Sequence, residues 1–141
     1  EAELQTTKRT IPIADFYESA LTTVLEKGEI LTEVRVPPLP ARTGWAFEEF
    51  AIRSGDFAVA AIAALVGAET RIVAIGAGET PIRLRHAEAQ STNITDVDAA
   101  AEVAREECSP VSDQHGSADF RRHLVGVLTK RALIAARQRA S

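Results

Sequence analysis

The sequence predicts an α+β fold: a three-stranded antiparallel sheet packed against about three helices, preceded by an incomplete N-terminal arm. Three observations carry this. Residues 44–76 hold three strand-like runs separated by polar turns, and the residues after 81 repeat apolar positions at helical spacing. Between this part and the start of the chain lies Pro37-Pro38-Leu39-Pro40, a stiff extended connector that sets a boundary between residues 1–40 and 41–141. At 141 residues there is room for one domain with a real core, or for one domain plus an incomplete piece of another.

In chain order, Arg9-Thr10-Ile11-Pro12-Ile13-Ala14-Asp15-Phe16-Tyr17 has strand character with an internal proline, so it belongs on an edge or in a loop. Leu25-Glu26-Lys27-Gly28-Glu29 reads as a turn. Ile30 to Val36 alternates, with Thr32, Val34 and Val36 opposed to Glu33 and Arg35, which predicts a strand with one wet face. Gly44 to Ile52 contains Trp45, Phe47 and Phe50, which favour a strand. Arg53-Ser54-Gly55-Asp56 cannot gain from core burial and predicts a sharp polar turn at the sheet edge, the kind of place where ligand contacts sit. Phe57 to Val66 is apolar almost throughout. Periodicity does not separate helix from strand there, but the bracketing turns select a strand. Arg71 to Gly76 is the third, completing a meander.

The remainder reads as helical. Pro81 suits a helix start, with an amphipathic stretch to about Gln90. Thr95-Asp96-Val97-Asp98 has the form of a capping box and opens a helix with Val97, Ala100, Ala101, Ala104 and Cys108 on one face. Ser117 caps the last helix, with Asp119 in its first turn and Phe120, Leu124, Val127, Leu128 and Ile134 as its buried stripe.

Composition narrows the function. A hydrophobic content of 45% and a charged content of 26% are those of a soluble globular protein, and no apolar run is long enough to span a bilayer. The single cysteine, Cys108, excludes an internal disulfide, reads as a small semi-buried residue in a helix, and favours the cytoplasm. Residues 118–141 carry six basic residues against one acid, a net +5, so the remainder of a chain of net charge −4 carries −9. Without interleaved aromatics, and with cations placed to complement a helix dipole, this is read as a solvated helix face and not as a nucleic-acid surface. Gly76-Ala77-Gly78-Glu79-Thr80-Pro81, with Asp96 about twenty residues on, approaches a dinucleotide fingerprint. Proline stands at the third glycine position and no strand follows to complete a βαβ unit, so the segment reads as a turn leaving the last strand. His86, His115 and His123 are far apart and lack metal-ligand spacing, so no metal site is expected. Glu48 and Glu49, neighbours on a strand, point to opposite faces. No nucleophile–base pair is visible, and no catalytic residue is assigned.

Four blocks, in order, resemble the flavin subunits of the molybdenum hydroxylase family, of xanthine dehydrogenase and carbon monoxide dehydrogenase type. Asp15-Phe16-Tyr17 with Leu21 to Pro37 is similar to the end of their FAD-binding region. Arg53 with Gly55-Asp56-Phe57-Ala58-Val59-Ala60 resembles the opening of their C-terminal domain. Gly76 to Pro81, with Arg83 and Ala87-Glu88-Ala89, resembles the third strand and the turn after it. Gly116-Ser117-Ala118-Asp119-Phe120-Arg121-Arg122, running on through Leu128, Lys130-Arg131 and Ala132-Leu133, is similar to their last helix.

The resemblance implies that residues 1–40 are the tail end of an FAD-binding domain plus connector, and residues 41–141 the C-terminal domain of a flavin subunit. It implies FAD as cofactor, with Phe47, Arg53, Gly55 and Asp56 near the isoalloxazine ring; which of Arg53 and Asp56 faces the ring stays open, as does their pairing with each other. It implies electron transfer within a hetero-oligomer that includes molybdopterin-binding and iron–sulfur subunits. Glu49 departs from the lysine common among relatives. The glycine-rich loops that hold the FAD pyrophosphate in that family do not occur in this sequence, so the chain on its own is expected to be inactive. Two readings from other classes stand beside this one: a stand-alone α+β interaction module without a cofactor, and a small enzyme with its site at the Arg53–Asp56 turn. The last has no base–nucleophile pair to support it.

Overall fold

The structure is a computed structural model that describes residues 1–91 and 96–140. The chain divides into two compact units, Glu1–Leu39 and Pro40–Ser141.

The first unit contains β1 (Glu3–Thr6), β2 (Thr10–Pro12), a 3-10 turn at Ile13–Asp15, β3 (Tyr17–Ser19), β4 (Thr22–Thr23) and β5 (Leu31–Arg35). β1 is the central strand of an antiparallel sheet ordered β2-β1-β5, and β3 and β4 form a separate hairpin. Pro12 lies on an edge strand, as its missing N–H requires. This segment holds more structure than its hydrophobic pattern indicates, because its centre is partly polar. Beside the small cluster of Leu4, Ile11 and Phe16 sits the Glu29 carboxylate. It accepts from Thr6 Oγ1 at 2.6 Å, from Arg9 Nε at 3.1 Å and from the backbone N–H of Glu26 at 2.8 Å. The single wet face expected for Ile30–Val36 is not found: all five residues of β5 are exposed. This strand is an edge, and alternation tells which side chains share a face without telling whether anything covers it.

The second unit contains β6 (Gly44–Phe50), β7 (Ala60–Val66), β8 (Thr70–Ile75), β9 (Ile82–Arg83), α1 (Arg85–Gln90), α2 (Val97–Glu107) and α3 (Ala118–Arg139). The expected antiparallel meander is present, and a fourth short strand extends it to the order β6-β7-β8-β9. The helix expected from Pro81 begins instead at Arg85. Ile82 and Arg83 pair with Ala74 and Val73, and Glu88 then accepts from Ile72 N at 2.8 Å and Arg83 Nε at 2.8 Å. The start of α1 is satisfied from far along the chain, where the Glu107 carboxylate accepts from the N–H groups of His86 and Ala87. Local sequence carries no sign of that cap.

α3 packs on β6 and β7, α1 packs on β8, and α2 packs on α1 and α3. The layer between sheet and helices is built largely of alanines around Ile62, Ile72, Leu84, Leu128 and Leu133. Small side chains bring backbones close. A Cβ on Gly44 would stand 1.8 Å from the Ala136 carbonyl oxygen, so this glycine lets α3 touch the edge strand directly.

Ser117 caps α3 as expected, its hydroxyl accepting from Phe120 N at 3.1 Å. The expected buried stripe needs correction. Phe120 and Ile134 are each 40% exposed, and the buried face runs through Arg121, Leu124, Val125, Leu128, Thr129, Ala132, Leu133 and Ala136. Side-chain size misled the assignment, since an alanine-lined sheet selects small residues for the closest contacts. Ala100, Ala101 and Ala104 form the buried face of α2 as expected. Cys108 is buried just past the end of that helix, not within it. Of the expected capping box, Thr95 lies outside the described residues, and Asp96 makes no side-chain cap bond.

Candidate functional site

The loop joining β6 to β7 is the segment expected to carry ligand contacts. It leaves the ladder after Phe50, and the hydrogen bond from Val59 N to Phe50 O, 2.8 Å, closes its base. At its tip Asp56 N donates to Arg53 O at 3.2 Å, and Gly55 takes φ +89°, a conformation that favours glycine. A Cβ at Gly55 would meet nothing within 4 Å, so the requirement there is conformational and the tip is open. Arg53 and Asp56 do not pair across the turn. Both are exposed, and neither side chain makes an ion pair or hydrogen bond among the described residues. The strand expected from Phe57 begins only at Ala60, which leaves Phe57 on the loop and 100% exposed.

Strand alternation puts Phe47 and Glu49 on the sheet face opposite the helices. Phe47 stands across from Ala63, and Glu49 from Ala61. Phe47 is 50% exposed, and Trp45 and Ile75 are exposed as well. Phe50 turns the other way and meets Phe120 edge-on, with ring centroids 5.7 Å apart. The structure thus offers an exposed aromatic ring, Phe47, on a strand that runs into a loop bearing one free cation and one free anion. Phe47 lies three positions before Phe50, about 10 Å of strand.

The other chemistry weighed from the sequence is accounted for elsewhere. Gly76 has φ +73°, and a Cβ there would stand 2.4 Å from the Val59 carbonyl oxygen. The glycine-containing segment after β8 is therefore a tight turn, and β9 returns antiparallel, which a dinucleotide-binding βαβ unit does not do. Five of the six basic residues of α3 are committed within the chain, and the sixth, Arg131, is exposed. Arg122 pairs with Asp119, Lys130 with Asp98, and Arg137 donates to Ser91 O. Arg139 lies 4.8 Å over the Trp45 ring, and Arg121 is buried. Among the described residues no cluster of histidine, cysteine and carboxylates could hold a metal, and no helix is long and apolar enough to cross a membrane. Burial pushes the Cys108 thiol above its ordinary pKa, so it is not a ready nucleophile.

This geometry can be set against known proteins. The profile of the CO dehydrogenase flavoprotein C-terminal domain matches residues 45–136, which takes in the larger sheet apart from Gly44 and most of α3. The chain belongs to the CO dehydrogenase flavoprotein C-terminal domain family. Similarity to known proteins also extends beyond the matched residues. The 6-hydroxypseudooxynicotine dehydrogenase complex subunit alpha of Paenarthrobacter nicotinovorans is 35% identical over 94% of this chain and 49% of its own length. The structure of carbon monoxide dehydrogenase from Hydrogenophaga pseudoflava, in a form lacking the Mo-pyranopterin moiety of the molybdenum cofactor, superposes with a TM-score of 0.91. It is 33% identical and covers 100% of this chain and 54% of the matched one. Quinoline 2-oxidoreductase from Pseudomonas putida 86 gives a TM-score of 0.88 at 31% identity, over 99% of this chain and 53% of the matched one. The chain spans about half the length of the curated relatives it matches.

The polar turn expected at Arg53–Asp56 is present, but sequence reasoning missed Arg121, which donates to Val59 O at the base of the loop, and Asp113, which accepts from Arg121. Arg121 stands beside Arg122 in a run of basic residues, and no sequence signal distinguishes the buried cation from its half-buried neighbour.

Proposed function

We propose that the chain is the C-terminal part of the FAD-binding subunit of a molybdopterin, iron–sulfur and FAD-containing hydroxylase or dehydrogenase, and that its β6–β7 loop lines the flavin ring. Residues 1–40 are the end of the FAD-binding domain, and residues 41–141 are the C-terminal domain. The partners are a molybdopterin-binding and an iron–sulfur subunit, the assembly is a hetero-oligomer, and it is cytoplasmic, in line with a single free thiol at Cys108. The observation that carries the reading is the loop itself. Arg53 and Asp56 are held at a glycine-made tip without partners in a domain of this family, next in sequence to a strand that exposes Phe47.

These residues fit the ring portion of FAD. Phe47 offers an aromatic face, Arg53 a donor and positive charge, Asp56 an acceptor, and Gly55 presents no side chain to obstruct approach. Bound FAD supplies reversible electron transfer, while the chain positions the ring and sets the charge around it. Glu49, on the same face as Phe47, adds a negative charge to that setting and bears on which acceptor is used.

Reduction adds negative charge to the ring. A nearby arginine then raises the flavin potential and a nearby aspartate lowers it. In the assembled enzyme, Arg53→Gln is expected to lower the potential and Asp56→Asn to raise it, by on the order of tens of millivolts each, where 30 mV is about 1.4 kcal/mol for two electrons. Spectroelectrochemical titration of both variants is the measurement. Unmoved potentials in both, with FAD bound and the fold intact, reduce the loop to a connection between strands.

A further inference from the structure

The loop that bears Arg53 and Asp56 has little of its own to hold it. Its internal hydrogen bonding is the single turn at Arg53–Asp56, and its tip residues are exposed. Both ends, however, meet the same turn of α3. On the incoming side, the Phe50 ring packs edge-on against Phe120. On the outgoing side, Arg121 Nη1 donates to the Val59 carbonyl oxygen at 2.5 Å, and also reaches Gly76 O at 3.4 Å. Val59 is thereby gripped through both halves of its backbone, since its N–H is already held by Phe50 O. The other arm of the guanidinium, Nη2, donates to Asp113 Oδ2 at 2.7 Å. Asp113 is itself fixed by accepting from the N–H groups of His115 and Gly116 through Oδ1.

The energetics of this arrangement are unusual for a purely structural contact. Arg121 is 7% exposed, yet its buried Nε has no hydrogen-bond partner among the described residues. A buried, partly satisfied cation costs stability that an apolar residue of similar size would not. What the guanidinium provides and an apolar residue does not is direction. It fixes the Val59 carbonyl, the end of β8 and the Asp113 turn against one planar group.

We infer that the first turn of α3 is a positioning clamp, in which Phe120 and Arg121 hold the two ends of the loop and so set where Arg53 and Asp56 stand. Arg121 is a positioning residue; it acts through the loop and touches no cofactor. The consequence for the flavin rests on the function proposed above, whereas the clamp itself does not.

Two readings in the complete flavin subunit, assembled with its partners, separate these levels. Hydrogen exchange reports the loop directly, because the Asp56 and Val59 amides are bonded across its tip and base. In Arg121→Met these amides are expected to exchange about tenfold faster while the middle of β7 keeps its protection, and the flavin midpoint potential moves. Arg121→Lys, which keeps the charge and one directed donor, falls between wild type and Arg121→Met in both measurements. Unchanged loop exchange in Arg121→Met overturns the clamp. So does a uniform loss of protection across the sheet, which marks a structural role only. Faster loop exchange with an unmoved potential in FAD-loaded enzyme overturns its part in flavin tuning. If Arg121→Met does not fold, Asp113→Asn carries the test by releasing one arm of the guanidinium. The same loop amides must then exchange faster to a smaller degree, and no change overturns the clamp. A wild-type enzyme without flavin would sink the proposed function instead, leaving the exchange result to judge the clamp.

Discussion

Gly76 shows how much one missing side chain settles in this domain. Its positive φ ends β8 in a turn, and the absence of a Cβ lets that turn lie against the Val59 carbonyl at the base of the loop. Gly76→Ala is expected to destabilise the second unit by about 1–3 kcal/mol, the range for a non-glycine residue held at such a φ, and the contact with Val59 O adds to the strain. Trp45, the one tryptophan, makes its fluorescence during urea unfolding the natural readout. A variant with an unshifted midpoint would mean that the turn relaxes without cost. At this scale the sequence was legible where chemistry is local. Arg53, Gly55 and Asp56 announce a turn because no core could use them, and Ser117 announces a cap. Arg121, Asp113, Glu107 and Glu29 were not legible, since each works on backbone or side chains that only the fold brings near.

Glu29 ties the elements of the first unit together. Its carboxylate joins the turn before β5 to Thr6 at the end of β1 and to Arg9 just before β2. Hydrogen bonds from the Glu26 backbone, from Thr6 and from Arg9 hold it ionised and bring its pKa from 4.5 down to about 2. A depressed carboxylate stabilises the fold above its unfolded pKa, and that contribution is lost as the pH falls through the folded value. Between about pH 4.5 and 2 the first unit is therefore expected to lose stability, and Glu29→Gln should flatten this dependence while being less stable at neutral pH. Tyr17, the single tyrosine, belongs to this unit, so its near-ultraviolet circular dichroism follows the transition separately from Trp45. An acid transition with the same profile in Glu29→Gln would remove the carboxylate from its place as hub. Among the elements, the three long strands and α3 were legible from period and bracketing turns. β9 and the late start of α1 were not, because a two-residue strand has no period to read and the cap of α1 lies some twenty residues away.

For the whole molecule, the function proposed above gives the chain one side of a cofactor site. Affinity for a dinucleotide comes chiefly from backbone amides cradling its phosphates, and this sequence holds no glycine-rich loops of that kind. The isolated chain is accordingly expected to bind FAD weakly or not at all; a fluorescence-quenching titration giving micromolar or tighter binding would contradict this. The exposed strand of the first unit bears on any such preparation. β5 is paired on one side only, and Leu31 and Val34 lie exposed along it, with Ile30 and Val36 exposed at its two ends. Open backbone donors and acceptors lined with branched side chains are a template for another copy. Concentrated solutions of the chain should therefore self-associate by joining sheets edge to edge. Val34→Lys, tested by light scattering across a concentration series, should keep the copies apart by placing like charges where two edges would meet.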